Sequence, residues 1–99
     1  LEASRALAAD VVRTGKPKER LAEIYRRILS RPPSAAETAV LQRELTRALV
    51  LYRAQPDEAK KLLRGAALSP AAPTNLAELA AHTVVASLVF NLDEALTHE

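Results

Sequence analysis

The apolar positions repeat with the period of an α-helix, not a strand, along nearly the whole chain. Leu7, Ala8, Val11 and Val12 form one stripe and predict a first helix over residues 1–13, with Gly15 placed to end it. Leu21, Ile24, Tyr25, Ile28 and Leu29 follow the i, i+3, i+4, i+7, i+8 pattern of an amphipathic helix. Its start falls at Lys16-Pro17, because proline in a first turn loses no intrahelical hydrogen bond. Its stop falls at Arg31-Pro32-Pro33, because a residue before proline is pushed out of the helical region.

Ser34-Ala35-Ala36-Glu37 has the spacing of a capping box, in which the serine hydroxyl and the glutamate carboxylate each satisfy a free backbone N–H. A long third helix is therefore expected from there to about Arg53. Its stripe is Val40, Leu41, Leu45, Ala48, Leu49 and Tyr52, widened by Val50 and Leu51. Gln55-Pro56-Asp57-Glu58 opens a short fourth helix with acids at its positive end, Lys60, Lys61 and Arg64 near its negative end, and Gly65 to close it. Residues 66–74, with Pro70 and Pro73, read as an irregular loop. Asn75 to Glu78 repeats the capping-box spacing and opens a last helix that is apolar on most sides, the mark of a central, buried element. Val84, Val85, Leu88 and Leu92 are its expected core. Asn91 to Glu94 repeats the spacing again and marks a place for a break, but one uninterrupted helix is the expectation.

Composition agrees. Leu and Ala supply 36 of the 99 residues against 15 Val, Ile and Thr and 3 aromatics, which favours an all-α fold. The length suits one domain, so the expected architecture is a compact bundle of four to five helices around a buried C-terminal helix. The apolar window over residues 79–92 is shorter than the ~20 residues a membrane span needs. A tetratricopeptide array, which "ALVLYRAQP" resembles at the end of one unit, needs a period near 34 residues that neither the prolines nor the tyrosines show.

Charge adds an asymmetry. The net charge is only +2, yet residues 16–31 carry a local excess of four positive charges. The last third, from residue 66, carries Glu78, Asp93, Glu94 and Glu99 and no Lys or Arg. On a helical wheel Arg20, Arg27 and Arg31 stack in one row beside the apolar stripe. Two readings follow. The row pairs internally with Asp93, Glu94 or Glu99, Arg31 being the favoured donor, or it stands exposed as a docking patch for an acidic partner. Nucleic-acid binding is not expected, since it calls for a larger net charge and stacking aromatics.

Chemistry within the chain is sparse. Without cysteine there is no thiolate ligand, thiol nucleophile or C-x-x-C-H haem attachment. Glu78 and His82 share a helical face at i, i+4. The other histidine, His98, lies 16 residues further on, about 24 Å along a helix, so no metal site is expected and His82 reads as a hydrogen-bonded core residue. No serine sits in a nucleophile elbow, and two glycines do not build a phosphate loop. No cofactor is expected, and an active site wholly within the chain is not.

Three stretches carry a family resemblance: "EASRALAADVV" at 2–12, "IYRRILSRPPSAAETAVL" at 24–41 and "LAELAAHTVVASLVFNLDEALTHE" at 76–99. Together they resemble the C-terminal region of planctomycete-type domain of unknown function 1553, also called planctomycete-specific domain one. The resemblance covers nearly the whole chain, and its most specific part is the closing Asn-Leu-Asp-Glu segment. His82 and Ala95 depart from it, standing where relatives carry bulky aromatics. The resemblance implies that the chain is the C-terminal piece of a larger, exported bacterial protein, in which cytochrome-like haem modules and carbohydrate-binding modules are common companions. It assigns no activity and no catalytic residue. The expected function is a non-catalytic accessory or interaction module whose partners are other domains of the same polypeptide. The alternatives are one wall of an active site or redox assembly completed elsewhere, acting on a polysaccharide or in electron transfer, and a freestanding adaptor or nucleic-acid binder.

Overall fold

The computed structural model describes residues 2–14, 16, 19–63 and 76–97, except the side chains of Glu2, Thr14 and residues 93–97. Among the described residues the chain forms five helices and no strand: α1 (Glu2–Thr14), α2 (Arg20–Leu29), α3 (Ala35–Ala54), α4 (Pro56–Leu62) and α5 (Leu76–Thr97). The all-α bundle around a C-terminal helix is thus present, with α5 packed against each of the other four.

The reason is the side-chain size along α5. Ala77, Ala80, Ala81, Thr83, Val85, Ala86 and Val89 are all buried, and small residues on several sides let neighbouring backbones approach together. α1 runs antiparallel to α5, with Ser87 Oγ donating to Ser4 Oγ at 3.0 Å. The main core joins Val11 of α1, Ile24 and Tyr25 of α2, Leu41 and Leu45 of α3, and Val85 and Val89 of α5. A smaller cluster seats α4 through Ala59 and Leu63 against Ala8, Leu79 and Ala80.

Local signals explain the starts of α3 and α4. Ser34 caps α3 as a full capping box: its Oγ accepts from the Glu37 N–H at 3.1 Å, and a Glu37 carboxylate oxygen accepts from the Ser34 N–H at 2.8 Å. Pro56 stands in the first turn of α4, with Asp57 and Glu58 beside it. α5 runs through Asn91 without a break. Gly15, Pro17 and Gly65, the loop over residues 66–74 and the Asn75 cap lie outside the described residues.

Four expectations are corrected. α2 begins at Arg20, after a turn closed by the Glu19 N–H on the Lys16 carbonyl (2.8 Å), so it starts later than Lys16-Pro17 suggests. It also ends before the Pro-Pro pair: Ser30 adopts a left-handed conformation (φ 62°) and its N–H bonds the Arg26 carbonyl. Of the expected α5 core, only Val85 is fully buried. Val84 and Leu88 are half-buried, and Leu92 is 46% exposed. These three lie four residues apart on one strip of α5 that its neighbours leave partly uncovered. On α3 the buried face is Leu41, Leu45 and Ala48, while Val40, Val50 and Leu51 are exposed. The apolar arc of α3 is wider than the surface that α2 and α5 present to it.

Candidate functional site

The arginine row of α2 is divided among three places. Arg20 reaches back with Nη2 to the Val12 carbonyl (3.1 Å), satisfying one of the free acceptors at the end of α1. Its other terminal nitrogen lies 3.8 Å from Glu78 at the start of α5. Arg27 bonds Asp10 of α1 and Glu23 of its own helix. Arg31 forks onto both carboxylate oxygens of Glu37, each at 3.1 Å, donates to the Tyr25 hydroxyl at 2.8 Å and stands 5.0 Å from the centre of the Tyr25 ring. The partners found for the row are therefore Asp10, Glu23, Glu37 and Glu78. The expected acceptors Asp93, Glu94 and Glu99 lie outside the described side chains.

The electrostatics follow from these contacts. Arg27 and then Arg13 hold the Asp10 carboxyl below its ordinary value, and Arg26 with Arg27 does the same for Glu23. Glu37 is depressed well below the carboxylate range by the Arg31 guanidinium, the Ser34 backbone N–H and the Tyr25 hydroxyl. Burial, reinforced by the hydrogen bond to Glu37, raises the Tyr25 phenol. This Tyr25–Arg31–Ser34–Glu37 cluster turns its polar atoms on one another. It fastens the α2–α3 corner and leaves no activated nucleophile.

His82 is 3% exposed, and its Nδ1 lies 2.7 Å from the Glu78 carbonyl. Burial lowers its pKa, so the ring is neutral at pH 7. Among the described residues no group of three His, Asp or Glu side chains gathers to hold a metal ion, and no helix is long and apolar enough to cross a membrane.

The feature that sequence reasoning missed is apolar. Two open hollows lie along the seam between α3 and α5. One, of ≈ 280 Å³, has Tyr25 and Leu41 at its base, Ala36 and Val40 on one side and Leu92 on the other. The second, of ≈ 340 Å³, lies between Ala48, Leu51 and Tyr52 of α3 and Val84 of α5. Ala36 therefore opposes the C-terminal part of α5, and Leu51 opposes its middle, so the two helices run antiparallel. Leu88, half-buried, lies along α5 between the hollows. Along this α3–α5 seam, called the groove below, Val40, Leu51 and Leu92 stand open to solvent, and Glu44 and Arg47 line the second hollow. The sequence signal that could have found it is the excess width of the α3 stripe, since one helix face buries only part of so broad an arc. No family model, curated protein or solved structure matches the chain.

Proposed function

We propose that the chain is a non-catalytic helical interaction module that presents the α3–α5 groove to another protein surface. The observation that carries this reading is the groove itself: three large apolar side chains, Val40, Leu51 and Leu92, stand about half exposed along one seam. Clustered apolar exposure rimmed by charge is the usual mark of a docking surface. The α2 arginines support it from the other side, because Arg20, Arg27 and Arg31 are engaged with this chain's own acids and are less suited to recruit an acidic partner. The resemblance to planctomycete-specific domain one adds a setting, an accessory segment of a larger exported protein.

Photo-crosslinking tests the reading. A photoreactive residue is placed at Leu92, in the groove, and at the exposed Lys60 of α4, away from it. Crosslinking to polypeptide from position 92 and not from position 60 is the expected result. Equal yields at both positions overturn the groove as the docking surface.

A further inference from the structure

The chemistry of one α3 stripe is complementary to its own reverse. Among the α3 side chains that line the two hollows, which also include Ala36, Glu37, Leu41, Ala48 and Tyr52, the four Val40, Glu44, Arg47 and Leu51 follow in the order apolar, acidic, basic, apolar. At 100° per residue these four fall within about 60° of arc, so they form one straight stripe. Val40 is 48% and Leu51 46% exposed. Arg47 is largely exposed and reaches its own Glu44 only at 3.6 Å, with its side chain 75% accessible.

A stripe of this order is complementary to its own antiparallel copy. With a two-fold axis passing between Glu44 and Arg47, Val40 of one copy meets Leu51 of the other, and Glu44 meets Arg47, each contact occurring twice. Such an isologous contact closes on itself and uses one surface patch on both copies. A parallel arrangement in the same register sets Glu44 against Glu44 and Arg47 against Arg47, which like-charge repulsion disfavours. Leu92, beside Val40 across the hollow, extends the apolar area at each end.

We infer that the occupant of the groove is a second copy of this chain, docked through α3 in antiparallel, two-fold fashion. The inference rests on the groove as docking surface and names its partner. With only Val40, Leu51 and Leu92 as exposed apolar contacts from each copy, the association belongs to the weak class of protein contacts.

The test uses charge reversal and mixing, followed by sedimentation equilibrium, with helical circular dichroism to confirm folding. The unaltered chain dimerises reversibly. E44K alone opposes Lys to Arg47, and R47E alone opposes Glu to Glu44, so each weakens self-association at least ~10-fold. An equimolar mixture of the two restores the dimer, because every facing pair is again opposite in sign. As a second readout in this cysteine-free chain, a V40C copy mixed with an L51C copy forms the mixed disulfide in preference to either symmetric one. A chain that stays monomeric to about 1 mM overturns the inference, placing association weaker than ~4 kcal/mol. So does a dimer insensitive to both reversals, or a mixture no tighter than its components. If the chain is monomeric while position 92 still crosslinks to another polypeptide, the groove reading survives and the second copy does not.

Discussion

Removing one oxygen atom tests how the α2–α3 corner is held. Tyr25 is 1% exposed, with its ring among Ile24, Leu41 and Leu45 in the main core, while its hydroxyl donates to Glu37 and accepts from Arg31. Tyr25→Phe keeps the ring and its packing, so no cavity term arises. The loss is confined to two hydrogen bonds with charged partners, worth ~1.5–3 kcal/mol each where burial is complete. Here both partners are part-exposed and remain bonded to each other, and Glu37 keeps the Ser34 N–H. The expected cost is therefore well below the sum of two such fully buried bonds, ~1–1.5 kcal/mol in total. For a domain of this length that lowers the Tm by roughly 4–10 °C. Truncation to Ala, which also empties the ring site, costs ~3–5 kcal/mol. Urea unfolding followed by helical circular dichroism at pH 7 measures both. The pH dependence is a second check. The phenol's pKa is raised in the folded state, so its stabilising effect is complete below its unfolded value of 10.0 and disappears as the pH rises through the folded value. The difference between the parent and Tyr25→Phe should thus be flat from pH 7 to 9 and shrink above 10. A loss below about 0.3 kcal/mol at pH 7, inside the usual scatter of surface substitutions, refutes the corner as a stabilising cluster.

Three further outcomes are expected. Ser34→Ala removes the hydroxyl half of the capping box and costs ~0.5–2 kcal/mol in chemical denaturation with the fold unchanged. Leu63→Ala, at a site 1% exposed, costs ~2–5 kcal/mol, whereas Leu92→Ala in the groove changes stability by less than ~0.5 kcal/mol; comparable losses at the two sites contradict their assigned burial. His82, buried and neutral in the folded chain, has a folded pKa below its ordinary 6.5, so its contribution is full above pH 6.5 and is lost as the pH falls through the folded value. A stability–pH profile should fall below 6.5 in the parent and flatten there in His82→Gln, with a separate carboxylate-driven fall beginning near the ordinary values of Asp10 and Glu23.

The residues by themselves determined the five helices and the cap that opens α3. Ser34 and Glu37 lie three apart, and the box they form needs only local backbone geometry, so it is legible without knowledge of any neighbour. The α2 stripe is equally local: Leu21, Ile24 and Tyr25 repeat at the helical period and are buried. The last helix was legible as the centre of the bundle because it is apolar on most sides; that its alanines form much of its buried surface is seen only in the packing. Tertiary structure alone decided which apolar side chains stay outside. Val40 and Leu41 are adjacent and equally hydrophobic, yet one is 48% exposed and the other 3%. Periodicity gives the angle between them but not the arc that a neighbouring helix covers. Partner choice for the arginines was hidden for a related reason. Arg31 bonds Glu37 across the α2–α3 corner at 3.1 Å, a pairing the charge asymmetry did not indicate, while the acceptors it did indicate, Asp93, Glu94 and Glu99, lie outside the described side chains. The groove exists because the four helices around α5 do not cover every side of it, and the uncovered strip is set by the crossing of α3, which no single segment encodes.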